Sequence, residues 1–329
     1  MRKIKWWIIV ILVLAMSYLL GPAPSTPRFS DKLPVVPSGN TALESFIRQN
    51  ESAHKVRPDN EARIVWANDS AKDVTEYSIL YLHGFSASQG EGDPVHKFIA
   101  KKYGCNLYLS RLAEHGIDTT EKLINFTSDK LWESAKEAFV IASRIGKKVI
   151  VIGTSTGGTL ALMLAAHFPQ IHSLILLSPN IEIFDSNASI LNNPWGLQLA
   201  RIINGSDYII SKDTRPLYRQ YWTYNYRLEA VVQLQEMLES SMKPELFRRV
   251  RQPVLMLYYY RDSIHHDSVV NVPAMLKMFD ELGTPASKKR SVPIPNAGDH
   301  VIGSYIKSHD VPSVEEEIEK FMNEVLKIK

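Results

Sequence analysis

The stretch Lys147-Lys148-Val149-Ile150-Val151-Ile152-Gly153-Thr154-Ser155-Thr156-Gly157-Gly158 decides the fold of this chain. It passes from an apolar, β-branched segment into Gly-x-Ser-x-Gly, and a helix-forming run from Thr159 to Phe168 follows at once. Strand, sharp turn and helix in that order describe a nucleophile elbow, which holds a serine hydroxyl out over the top of a sheet. Gly153 and Gly157 meet a steric demand, because a Cβ beside so tight a turn collides with the strand or the helix. The helix N-terminus behind Ser155 favours developing negative charge. The three-letter pattern alone decides little, since it arises by chance in roughly one chain in ten of this length. The strand before it and the helix after it are what separate it from a flexible Gly/Thr/Ser loop.

A nucleophilic serine needs a base, an acid to orient that base, and donors for an oxyanion. In this arrangement the chain order is Ser, acid, His, with the acid after a later strand. Pro253 to Tyr260 reads as that strand, and Arg261-Asp262 ends it, so Asp262 is the expected acid. Asp267, a little further on, is the alternative. Lys289 to Pro295 reads as a last strand, and Asn296-Ala297-Gly298-Asp299-His300 as a turn after it, which makes His300 the base. Asp299 is read as a solvated turn residue. The oxyanion donors are expected from backbone N–H groups of Thr156, directly after the nucleophile, and of Phe85. Phe85 follows the strand Tyr77 to Leu82, where His83-Gly84 lets the chain turn towards the site. His83 precedes the serine and is expected to fix this loop rather than to act as base.

With these segments in place, the order resembles the α/β-hydrolase superfamily, in particular the branch of monoacylglycerol lipases, small carboxylesterases and serine-aminopeptidase-like hydrolases. The matching residues are His83-Gly84-Phe85, Arg111-Leu112-Ala113-Glu114-His115-Gly116, Gly153 to Gly158, Asp262 and His300. Two departures stand out. Glu114 occupies a position where the branch usually has Gly, and Tyr259-Tyr260-Arg261-Asp262 replaces a usual Gly-x-x-Asp. The resemblance covers about residues 75 to 325. It implies a mostly parallel central sheet with helices on both faces, and a serine hydrolase acting on a small-molecule ester or lipid. Cleavage of amides, acyl transfer to an alcohol, and a non-catalytic binding protein on the same fold are the alternatives.

The rest of the sequence agrees. Hydrophobic residues make up 45% of 329, enough to bury a sizeable core. The formal net charge is +3, and Arg2, Lys3 and Lys5 account for it, so nothing supports nucleic acid as a partner. Cys105 is the only cysteine and reads as a small core residue. No phosphate loop or dinucleotide fingerprint occurs, His265-His266-Asp267 reads as a polar turn rather than a metal site, and the chemistry needs no cofactor and no metal. Trp6 to Leu20 is apolar apart from Ser17, after a basic start and before Gly21-Pro22-Ala23-Pro24. This predicts an N-terminal signal-anchor over residues 1–23, with the enzyme held on the non-cytoplasmic side of a membrane; a cleaved signal peptide, leaving a secreted or periplasmic enzyme, is the alternative.

The predicted organisation continues with a poorly ordered, Pro-rich spacer and entry region over 24–60. The hydrolase core follows over 61–179 and 252–329, where apolar strands alternate with helical spacing. Between them the rhythm stops, and 180–251 is expected to be a helical cap over the site. Tyr218, Tyr221, Trp222, Tyr224 and Tyr226 cluster there, to pack the cap down or to line a substrate pocket.

Overall fold

Along Thr75–Leu82 the side chains alternate between two apolar layers, and this strand sets the architecture: Ile79 and Tyr81 enter one core cluster, Leu80 and Leu82 the other. The structure, a computed structural model, describes residues 2–329. In chain order the strands are β1 (Arg63–Val65), β2 (Thr75–Leu82), β3 (Asn106–Leu109), β4 (Gly146–Thr154), β5 (Ser173–Leu177), β6 (Tyr208–Ile210), β7 (Asn225–Arg227), β8 (Val254–Tyr258) and β9 (Lys289–Pro293). Seven of them form one sheet in the order β1-β3-β2-β4-β5-β8-β9. All neighbours run parallel except the edge strand β1, which is antiparallel to β3.

The helices are α1 (Arg2–Leu19), α2 (Asn40–Ser52), α3 (Val95–Lys102), α4 (Ser128–Ile145), α5 (Thr156–His167), α6 (Gly196–Asn204), α7 (Pro216–Tyr221), α8 (Leu228–Ser241), α9 (Pro244–Arg249), α10 (Val272–Glu281) and α11 (Val311–Lys320). α4, α5, α8 and α10 cover one face of the sheet, and α3 and α11 the other. Central strands β4 and β5 are apolar almost throughout because both of their faces are buried. The order of switching matters for function: the chain reverses direction of travel across the sheet around β2 and β4, so the loops after these strands meet at their carboxyl ends.

The cap lies between β5 and β8. It is not purely helical: β6 and β7 pair antiparallel, Tyr208 opposite Arg227, and close a small hairpin around α7. α8 carries the cap onto the body through Ala230, Leu234, Met237 and Leu238.

Two expectations for the N-terminal region need correction. α1 forms, with exposed apolar side chains from Trp6 onward, but no helix among the described residues is long and apolar enough to cross a membrane. The physical reason is length. The apolar run Trp6–Leu20 reaches roughly 22 Å at 1.5 Å per residue, short of a hydrocarbon core of about 30 Å.

The second correction concerns residues 24–60. The Pro-rich part has neither helix nor strand, yet it is a docked strap rather than a loose spacer. Trp195 N–H donates to Pro22 O (2.9 Å), Arg28 N–H to Asp129 (2.7 Å) and Trp132 Nε1–H to Ser30 O (2.9 Å). The fully buried Lys136 donates its ammonium to Ser30 O (2.9 Å) and Lys32 O (2.6 Å). Beyond the strap, α2 buries Leu43 and Ile47. Its N-cap is Gly39, with no side-chain cap, so the usual start signal is missing from the sequence.

Candidate active site

Ser155 sits where β4 turns into α5, with φ 54° and ψ −119°. A non-glycine residue reaches that conformation only under constraint, and the constraints are visible. Ser155 N–H donates to Leu177 O (2.9 Å), while its carbonyl accepts from Gly158 N–H (2.8 Å) and Asn180 N–H (2.9 Å). The glycines are sterically required. A Cβ on Gly157 would lie 2.0 Å from Leu82 O, and one on Gly153 2.4 Å from Gly157 O.

His300 follows β9 and is 8% exposed. Its Nδ1–H donates to Asp267 Oδ2 at 2.6 Å. Its Nε2 is buried and has no partner among the described residues. Ser155 and His300 line the same cavity, of about 540 Å³. Burial works against a charged imidazole, but the charge and hydrogen bond of Asp267 outweigh it, so the His300 pKa is raised. Burial alone would raise the Asp267 pKa. The His300 charge and hydrogen bond, with the Val269 and Val270 N–H groups, bring it below the usual carboxylate range.

The expected acid, Asp262, is therefore corrected: Asp267 stands against His300, and Asp262 does not. Asp262 is exposed and closes its own turn. Its Oδ1 accepts from Ile264 N–H and His265 N–H, both at 2.8 Å, and these bonds, that from His265 foremost, hold its pKa down at about 2. The reason lies in the loop after β8. The strand stops at Tyr258, and the chain makes an excursion closed by a Tyr260–His266 bridge. Asp267 N–H then donates to Tyr259 O (3.1 Å), so Asp267 stands in space just past the strand end, where counting along the sequence had placed Asp262.

The turn His83–Phe85 follows β2 directly and is held at both ends of Gly84. His83 Nδ1–H donates to Gly84 O (2.9 Å), and its Nε2 accepts from Leu112 N–H (3.0 Å). Burial pushes its pKa well down, which keeps the ring in this neutral form. The Gly84 carbonyl also accepts from Ala87 N–H (3.3 Å). In a trans peptide the N–H points opposite to the carbonyl, so fixing Gly84 O also fixes the direction of the Phe85 N–H. Neither Phe85 N–H nor Thr156 N–H donates to another of the described residues. In the loop after β3, Glu114 has φ 66°, the left-handed region that explains why the related pattern favours Gly there.

The aromatic cluster divides in two. Tyr218, Trp222 and Tyr226 line the cavity, with Tyr218 and Trp222 stacked at 7°. Tyr221 packs the cap down, its hydroxyl donating to Asp59 (2.5 Å), and Tyr224 lies against Lys122 and Arg219. Ile183, Val231, Leu234 and Val269 complete a largely apolar wall. Asp299, expected as a solvated turn residue, instead lines the cavity and pairs with Lys307 at 3.0 Å.

Sequence reasoning missed Glu91. It lies in a buried 3₁₀ turn, Gln89–Gly92, and lines the cavity. Its Oε2 accepts the Gly84 N–H and lies 3.5 Å from the Tyr81 hydroxyl, which is in turn 3.1 Å from Thr154 Oγ1. Burial pushes the Glu91 carboxyl up to about 8. In sequence, nothing distinguishes an acid in Gln-Gly-Glu-Gly from one on a solvated loop.

A sequence model described as the alpha/beta hydrolase family matches residues 79–312. Among curated proteins none matches. Solved structures share the fold at low identity. One from work on the metagenome-derived lipolytic enzymes LipS and LipT has a TM-score of 0.63 at 16% identity, covering 82% of this chain and 99% of its own. A monoacylglycerol lipase from Paleococcus ferrophilus has a TM-score of 0.57 at 14% identity, covering 80% and 98%. Est1E from Butyrivibrio proteoclasticus, with bound ferulic acid, has a TM-score of 0.55 at 18% identity, covering 81% and 95%.

Proposed function

Because this chain belongs to the alpha/beta hydrolase family, we propose that it cleaves carboxylic esters through an acyl-enzyme on Ser155. The observation that carries the proposal is the line Asp267–His300–cavity. The acid bonds Nδ1 at 2.6 Å and leaves Nε2 buried and without a partner among the described residues, on a ring that lines the same cavity as Ser155. His300 Nε2 takes the Ser155 proton as the hydroxyl attacks the ester carbonyl. Asp267 stabilises the imidazolium, and the N–H groups of Phe85 and Thr156 receive the oxyanion. The alcohol leaves with the proton from His300, and water then releases the acid by the same route. The apolar and aromatic wall suits an apolar acyl or ester group.

Hydrolysis of p-nitrophenyl esters of increasing acyl length by the full chain tests this. Turnover that falls by several orders of magnitude in Ser155→Ala, with the fold intact, is the expected outcome. An alanine variant as active as the parent would sink the assignment. For location, we propose that α1 attaches the enzyme to a membrane surface. Support comes from its exposed Trp6, Trp7, Ile11 and Leu14, and from Trp195 of the cap, whose Nε1–H donates to Ser17 O (3.0 Å). Vesicle co-sedimentation that persists unchanged after Ile11→Glu and Leu14→Glu would rule this out.

A further inference from the structure

Glu91 is a buried carboxyl group in the cavity for which acyl transfer by Ser155, His300 and Asp267 has no use. Its position is specific. A Cβ built on Gly84 would lie 2.7 Å from Glu91 Oε1 and 3.0 Å from Ser155 Cβ, so the carboxyl and the nucleophile flank the same backbone atom. Its Oε2 holds the Gly84 N–H on one side of that residue, while His83 and Ala87 hold the Gly84 carbonyl on the other. Together these bonds fix both peptide groups of Gly84, including the one that presents the Phe85 N–H. Oε1 has no hydrogen-bond partner among the described residues and belongs to the cavity lining.

We propose that Glu91 is a positioning residue of the acyl-transfer site, which holds the His83–Phe85 turn for the oxyanion as a neutral acid and slows acylation when it ionises. This rests on the serine-hydrolase function proposed above. The reasoning is electrostatic. The tetrahedral intermediate places a negative charge beside the turn, and a second negative charge in the same cavity opposes it. A protonated carboxyl keeps the hydrogen bond from Gly84 without that opposition.

The surroundings favour the neutral form. Burial is the main cause that raises the Glu91 pKa, and Asp299 adds to it from across the cavity. The Gly84 N–H, His300 and the Tyr81 hydroxyl pull the other way and do not overcome it. Asp93 follows two residues later on the same loop, and His96 of α3 packs edge-on against Tyr81, its own pKa lowered to about 4 by burial.

The test compares kcat and KM from pH 6 to pH 10 for the full chain with Glu91 intact, Glu91→Gln and Glu91→Ala, using one p-nitrophenyl ester corrected for spontaneous hydrolysis. With Glu91 intact, kcat is expected to rise as His300 loses its proton and to fall above roughly pH 8 by up to tenfold per unit. Glu91→Gln, which has an amide oxygen to accept from Gly84 and no ionisation, is expected to lose the alkaline fall. Glu91→Ala is expected to lower kcat by about tenfold or more at every pH with KM little changed, because the oxyanion donor is no longer held. An alkaline fall that persists at the same pH in Glu91→Gln overturns the proposal, as does a flat alkaline profile with Glu91 intact. If Glu91→Ala does not fold, the Gln variant decides alone. Activity that survives Ser155→Ala would instead overturn the serine-hydrolase function, so the two failures are told apart.

Discussion

Replacing Asp267 by Asn is expected to disable the enzyme, and replacing Asp262 by Asn to leave it working. Asp267 is fully buried and bonded to His300 at 2.6 Å, whereas Asp262 is exposed and bonds only its own turn. Two unit charges about 4 Å apart at an effective dielectric constant of about 20 attract by about 4 kcal/mol. That is the assistance the imidazolium loses in the transition state, or about 10³ in rate at 1.36 kcal/mol per decade. An Asn can also hold the ring in the wrong tautomer, which takes the loss towards about 10⁴. Asn keeps an acceptor for Val269 N–H (2.9 Å) and Val270 N–H (3.1 Å), so the loop should remain folded. The assay is kcat/KM on one p-nitrophenyl ester, with Ser155→Ala as the baseline and thermal melting to confirm the fold. Asp262→Asn should stay within about threefold of the parent, as surface changes usually do. A larger loss for Asp262→Asn than for Asp267→Asn would refute the assignment and the account of the loop excursion together.

Three further outcomes are expected. His300 must be neutral to accept the Ser155 proton, and its pKa is raised above the ordinary 6.5. The acid limb of kcat/KM should therefore lie above that value, and Asp267→Asn should move what activity remains to lower pH; a limb below 6.5 in the parent would contradict the Asp267–His300 pairing. Gly157→Ala places a Cβ 2.0 Å from Leu82 O. It should cost about 3 kcal/mol or more in denaturant unfolding, and a loss below 1 kcal/mol would mean that the elbow is looser than described. Lys136→Met removes two ammonium–carbonyl bonds to the strap, with an expected loss of about 2–3 kcal/mol and faster proteolysis within residues 21–38. Unchanged protease resistance would show that these bonds do not hold the strap.

What the sequence revealed, and what it hid, follows the range of each interaction. The elbow was legible because Gly153, Ser155 and Gly157 encode a local steric problem, solved within one turn. The strand Tyr77–Leu82 and the continuous apolar runs of β4 and β5 were legible for the same reason. His300 could be placed because a strand precedes it. The carboxylate that meets His300 could not be counted out along the chain, because the Tyr260–His266 bridge removes an excursion that sequence spacing includes. α2 lacked a side-chain cap to announce it. The strap was hidden because its partners, Asp129, Trp132, Lys136 and Trp195, lie on elements more than 90 residues away in sequence. Glu91 was hidden because its meaning comes wholly from burial.

The strap also decides where the chain can be shortened. From sequence, the obvious place to remove the apolar N-terminus is after the last proline of the run, Pro37. A chain begun there would lose both carbonyls that hold the Lys136 ammonium, leaving Glu133, at 2.8 Å, as its remaining partner. It would also uncover Trp132 and remove Pro22, Ala23 and Pro24 from the wall of the hollow that they line together with Leu191, Leu197 and Val232. A cut between Leu20 and Pro22 removes the same apolar helix and spares every one of those contacts. The shorter deletion, not the longer one, is the version of this enzyme to express and purify.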